Sequence, residues 1–261
     1  MFFNFAVLLA GAGFAVASSG ISSQCQSALL NVSASSSAAC SNPSGLISLA
    51  ITNSSSSSII PGVNTWLSGL CSQTACTNST LQTVITEVIS GCSTELSSLG
   101  ITTSNPTAIV TSIQAAYPTV RQLVCLKDTA MSTLCVPELL TNIQSATTTL
   151  SLNNIVALVT KLVSGQSTGI TSSAVCNNCS KAAYTVLSQG LPAIASTAQS
   201  AVSSECGANY TDGQMPSGIQ ESATNSSSTT SSSGAIALSF GSLNMGVAAV
   251  AAVSAAFAIL A

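Results

Sequence analysis

The chain has 261 residues, 46% of them apolar and only 4% charged, with no histidine, a balance far from that of an ordinary soluble domain. Its four basic residues (Arg121, Lys127, Lys161, Lys181) and seven acidic ones (Glu87, Glu95, Asp128, Glu138, Glu205, Asp212, Glu221) are scattered singly. No basic cluster exists to neutralise phosphates, which argues against nucleic acid as a partner, and without histidine neither Ser-His-Asp nor Cys-His chemistry can be assembled.

The first element is Met1-Phe-Phe-Asn-Phe-Ala-Val-Leu-Leu-Ala10, an uncharged apolar run leading to Ala15-Val16-Ala17. This order matches a secretory h-region followed by an A-x-A cleavage site, although the usual basic n-region is missing. Residues 1–17 are therefore expected to be a signal peptide. A Cys-rich ectodomain is expected over 18–212, a Ser/Thr-rich stalk over 213–233 and a removable propeptide over 234–261.

Within the ectodomain the clearest helix runs from Thr77 to Cys92. There Leu81, Val84, Ile85, Val88, Ile89 and Cys92 fall at i, i+3, i+4, i+7, i+8 and i+11, one apolar helical face, with Asn78 or Ser79 as the expected cap. Similar stripes follow: Ile109, Val110 and Ile113 after Pro106; Val136, Leu139, Leu140 and Ile143 around Pro137; and Leu152, Ile155, Val156, Val159 and Leu162. The Ala-rich run from Lys181 to Cys206, broken at Gly190-Leu-Pro192, predicts two more helices. Strict alternation of apolar and polar residues is absent, so an all-α, disulfide-stapled helical bundle is expected. Trp66, the only tryptophan, has Leu67 and Leu70 beside it and is expected in the core rather than as a stacking platform for sugar or lipid.

Ten cysteines, Cys25, Cys40, Cys71, Cys76, Cys92, Cys125, Cys135, Cys176, Cys179 and Cys206, all lie between the two processed ends. An even number in a secreted chain implies disulfides. A metal site at Cys71-x4-Cys76 or Cys176-x2-Cys179 would need histidine or clustered thiolates, so neither metal nor cofactor is expected. The order single, single, close pair, single occurs twice, over 25–92 and 125–206, suggesting an internal duplication. Five is odd, so full pairing requires a disulfide between the halves.

Asn-x-Ser/Thr sequons stand at Asn31, Asn53, Asn78, Asn209 and Asn225, candidate N-glycosylation sites of a secreted chain. Asn178 has Cys179 as its middle residue and is a weaker acceptor, and Asn42 and Asn105 precede proline. The serine runs 54–58 and 226–233 are expected to be flexible, O-glycosylated segments. After the second come small residues, a spacer from Ile236 to Met245 and the sixteen-residue apolar tail Gly246 to Ala261. That is the layout of a glycosylphosphatidylinositol (GPI) attachment signal, with Ser233 the preferred site and Ser232 and Gly234 its competitors. A membrane span would need about 20 strongly apolar residues and a basic flank.

Catalysis has one formal candidate, Asp128 with Glu138, since paired carboxylates can cleave glycosides; solvated surface is the plainer reading. Signal peptide, ten-cysteine low-charge body, Ser/Thr stalk and GPI tail together resemble uncharacterised fungal cell-surface proteins of the kind common in mushroom-forming fungi, a family without an assigned activity. Leu70-Cys-Ser-Gln-Thr-Ala-Cys-Thr-Asn78 continued to Cys92 is similar to the elicitin pattern of a Cys-x4-Cys pair, a helix and another cysteine. Elicitins are small, secreted, all-α and carry sterols, and that resemblance implies Leu81, Val84, Ile85 and Val88 as cavity lining. It departs in having ten cysteines rather than six and in the spacings outside 71–92. The expected function is a non-enzymatic structural or adhesive role on the outer plasma membrane or cell wall. A lipid- or sterol-binding module is the alternative and a wall carbohydrate-modifying enzyme the third. The expected partners are the membrane, reached through the GPI lipid, and cell-wall glucan or a lipid ligand.

Overall fold

A computed structural model describes residues 22–45, 56–98, 103–151, 154–155, 157–158, 161 and 166–224. The expected signal peptide, GPI propeptide, Ser233, Asn53 and Asn225 lie outside the described residues, as does most of the stripe from Leu152 to Leu162. In chain order come α1 (Ser23–Ala34), a 3-10 turn (Ser36–Ser41), α2 (Ile60–Ser72), α3 (Asn78–Gly91), α4 (Ser93–Ser98) and α5 (Pro106–Val124). A hairpin of β1 (Leu126–Asp128) and β2 (Thr133–Leu134) leads into α6 (Cys135–Ala146). Then follow α7 (Ser172–Val175), α8 (Asn178–Gly190), α9 (Pro192–Cys206), a second 3-10 turn (Ala208–Thr211) and β3 (Ile219–Glu221).

The helices begin where polar caps and prolines allow. Ser22, Thr77, Asn105 and Asn177 each accept a hydrogen bond from a backbone N–H of the first turn of α1, α3, α5 and α8, satisfying donors that a helix start leaves orphaned. The cap of α3 is thus Thr77, one residue before the expected Asn78 or Ser79. Pro61, Pro106 and Pro192 sit in the first turns of α2, α5 and α9, where a missing N–H does no harm. The break expected at Gly190-Leu-Pro192 separates α8 from α9.

The chain is mainly helical, with one addition the stripes do not reveal. A three-stranded antiparallel sheet in the order β2-β1-β3 pairs Leu126 with Glu221, Lys127 with Gln220 and Asp128 with Ile219. These strands are two or three residues long, too short to display a period of two. The folded body consequently runs past the boundary expected at residue 212 and takes in the first part of the presumed stalk.

Three apolar clusters fill the interior. The face of α3 (Leu81, Ile85, Val88, Ile89) packs on Cys25 and Val32 of α1 and on Val110 and Ile113 of α5. Gly91 lets α1 and α3 meet, because a Cβ there would lie 2.1 Å from that of Ala28. A second cluster joins α2 (Val63, Trp66, Leu67, Leu70) to Leu134, Leu150 and Ile155. Trp66 is only 7% exposed, and its indole N–H donates to the Ser41 carbonyl at 3.0 Å, so the core reading of this residue holds. The third places Leu126 and Ile219 of the sheet against Ala182 and Val186 of α8.

All ten cysteines are oxidised: Cys25–Cys92, Cys40–Cys76, Cys71–Cys125, Cys135–Cys179 and Cys176–Cys206. The two five-cysteine sets share the pairing of second with fourth and differ in the rest, and Cys71–Cys125 is the expected link between them. In space, however, Cys125 ends α5. The covalent network therefore divides six and four, three bonds closing residues 25–125 and two closing 135–206, with only the β1–β2 hairpin in between. Met131 stands at that hairpin's tip, 64% exposed. Cleavage at Met131 and Met215 with cyanogen bromide, without reduction, is expected to free fragment 132–215 from the fragment ending at 131. A product held together until a thiol is added would contradict this pairing.

Candidate functional site

The most constructed place in the molecule is where the chain leaves the folded body. The C-terminal ends of α2 and α5 converge, and Cys71–Cys125 ties them with their Cα atoms 5.6 Å apart. Beneath lies Arg121, 4% exposed. Its Nη1 donates to the Leu70 carbonyl at 3.1 Å and its Nη2 to that of Gln73. A cation here gives the carbonyls at the end of α2 a charged donor, in addition to the Gln73 N–H that Leu70 already accepts, and complements the helix dipole.

The departing chain is seated on the same cross-link. The Ser222 N–H and hydroxyl both donate to the Cys125 carbonyl, at 2.9 and 2.7 Å, and the Thr224 N–H donates to the Cys71 carbonyl at 2.9 Å. Residue 225 begins the sequon and serine run of the expected stalk. Neither this junction nor the buried Arg121 was anticipated. An arginine and two hydroxyl residues carry no periodic signal, and only the fold brings them together.

The formal carboxylate pair is brought into electrostatic range. Burial in the first instance, and the charge of Asp128 in the second, raise the Glu138 carboxyl above its ordinary value. Of the two, only Asp128 is engaged by hydrogen bonds among the described residues. Asp128 Oδ1 accepts the Ala130 and Met131 N–H groups at 2.7 and 3.0 Å, closing the hairpin, as aspartate does in turns. Glu138 Oε2 lies 3.3 Å from Cys179 Sγ, a half-cystine that has no proton to donate.

Glu95 behaves oppositely. Only 6% exposed, it accepts the Ser22 N–H at 2.8 Å, and hydrogen bonding from the Ser22 side chain, ahead of that from its backbone, holds the carboxyl below its ordinary value. It also clusters with Cys25 and Cys92 in a ligand-like group. Those two sulfurs are bonded to each other and offer no thiolate to a metal.

The residues assigned to a lipid cavity by resemblance occupy the first cluster: Leu81, Ile85 and Val88 are buried and Val84 half-buried, packed among α1 and α5. The described sequons are all exposed, Asn31 on α1, Asn78 opening α3 and Asn209 in the second 3-10 turn. Asn178 is exposed too, but Cys179 is bonded to Cys135. Among the described residues no helix is long and apolar enough to cross a membrane. Comparison of the chain with family models, curated proteins and solved structures found no significant match in any of the three.

The buried Glu95 and the half-buried Glu138 predict opposite pH behaviour. A lowered pKa contributes stability that is present above the unfolded value, roughly 4.3, and is lost as pH falls through the folded one. Glu95→Gln is therefore expected to destabilise by about 1–3 kcal/mol at pH 7 and by less as the solution is acidified. A raised pKa weakens the fold once pH rises above the unfolded value, so Glu138→Gln is expected to raise the melting temperature at pH 7 and leave it unchanged near pH 3. Thermal unfolding followed by circular dichroism at both pH values checks the pair, and a common sign at pH 7 would refute it.

Proposed function

We propose that the chain is an extracellular glycoprotein tethered by a GPI lipid to the plasma membrane or cell wall, with a non-enzymatic structural or adhesive role. The observation that carries this reading is the junction: Ser222 and Thr224 are locked onto Cys125 and Cys71, directly before a Ser/Thr tract and an apolar tail. A body closed by five disulfides suits an oxidising exterior, and exposed Asn31, Asn78 and Asn209 suit glycan attachment. The sparse charges and absent histidine, with Asp128 engaged in its turn, favour support or adhesion over hydrolysis. The lipid- or sterol-binding alternative rests on the elicitin resemblance alone, since Leu81, Ile85 and Val88 pack against neighbouring helices.

Treating intact cells that express the full-length chain with phosphatidylinositol-specific phospholipase is expected to release a glycosylated protein ending near Ser233. Retention on the cells, with residues 234–261 still present by mass spectrometry, would sink the proposal.

A further inference from the structure

We infer that residues 207–224 form a strap that peels from the body under tension applied at the stalk, lengthening the tether until Cys206 stops it. This rests on the C-terminal attachment proposed above, because only a load entering beyond Thr224 acts on the strap first. Three observations carry it.

The strap has no covalent hold of its own. The last cross-link before it is Cys176–Cys206, and all ten cysteines are paired upstream of Gly207. At Gly207 the chain leaves α9 with φ at 89°, a backbone that side-chain-bearing residues rarely adopt, and it contains no α-helix from there to Thr224.

The contacts of the strap come in one order. From its C-terminal end, Thr224 is held by Cys71 and Ser222 by Cys125. Then Glu221, Gln220 and Ile219 face Leu126, Lys127 and Asp128, and the Gly218 carbonyl accepts from the Thr129 N–H and hydroxyl, both at 2.9 Å. Partners thus succeed one another along β1 as residues succeed one another along the strap. A pull at Thr224 loads these bonds one after another rather than together, and one hydrogen bond contributes only about 1 kcal/mol net. Ile219, buried against Ala182 and Val186, adds the strongest single hold along the way.

The inner half is held to α8 by separate polar contacts, which yield later. Lys181 Nζ bonds Asp212 at 2.8 Å, and the Tyr210 hydroxyl donates to the Asn177 carbonyl at 2.8 Å. Beyond them the load reaches Cys206 and passes through its disulfide to Cys176 at the end of α7, so a covalent bond bears it. Meanwhile residues 25–125 and 135–206 keep their own disulfides and their shared core.

The test is single-molecule pulling of the full-length chain under oxidising conditions, with one peptide handle between Ser18 and Ser22 and the other within the serine run 226–233. The eighteen residues from Gly207 to Thr224 correspond to about 60 Å of contour at roughly 3.4 Å per residue. The first extension is expected to be reversible and at most that long. Inserting six Gly/Ser residues between Gly213 and Gln214 is expected to add about 20 Å to that first step. Thr224→Pro, which deletes the outermost N–H, is expected to lower the force at which the step begins. A first step that ignores the insertion, or that comes only after thiol is added, would overturn the strap. Phospholipase release is read separately on cells, so a failed anchor and a failed strap give different results.

Discussion

The Cys71–Cys125 disulfide is the constraint on which the architecture turns. It fixes where α2 and α5 end relative to each other, and Arg121 fills the gap between the two C-termini. Its two backbone carbonyls then become acceptors for the departing chain. Each carbonyl belongs to a helix end, and the bond fixes the two ends relative to each other, so the anchors that follow β3 are held at one spacing. Cross-linking residues 54 positions apart removes on the order of 4 kcal/mol of unfolded-state entropy in the chain-entropy account, a substantial part of the 5–15 kcal/mol by which domains are stable.

Scarcity of charge makes each ionisable group consequential. Arg121 caps a helix terminus from inside the body, Glu95 pins the entry to α1 through Ser22, and Lys181 holds the strap through Asp212. Most of the remaining polar surface is serine, threonine, asparagine and glutamine. Their hydroxyls turn back onto their own helices, as Thr65 does to Pro61, Thr83 to Ser79 and Thr111 to Thr107. Such back-bonding slightly weakens helices. A helical body this rich in hydroxyl residues has weak intrinsic propensity, and five disulfides offset the deficit.

The disulfide network also divides the chain into two covalently closed blocks. Residues 25–125 and 135–206 are each closed covalently, and they are joined by a nine-residue hairpin segment, the shared packing of α2 on Leu134, Leu150 and Ile155, and the strap. The stalk is covalently continuous with the second block but seated on the first. Under the tethered reading proposed above, a load entering beyond Thr224 would meet the first block before the second.

Much of the helical part was legible in the residues. The stripe from Leu81 to Cys92, the proline at the start of α5 and the Gly-Leu-Pro break after α8 each place an element, because a helix must bury one face and begins readily at a proline, whose missing N–H costs nothing in the first turn. The even cysteine count, together with the expected secretory signal, likewise implied complete pairing, and the odd number per set implied a bond between sets. Which cysteines pair, where the sheet forms and how Arg121 is buried were decided by tertiary structure. Cys71 and Cys76 lie five residues apart yet bond to Cys125 and Cys40, because Cys71 sits in the last turn of α2 against the end of α5 while Cys76 lies beyond α2, beside the 3-10 turn that carries Cys40. Strands of two or three residues have no readable period, so β3 exists only because β1 offers an edge. Local pattern determined where the helices run; the meeting of their ends in space determined the rest.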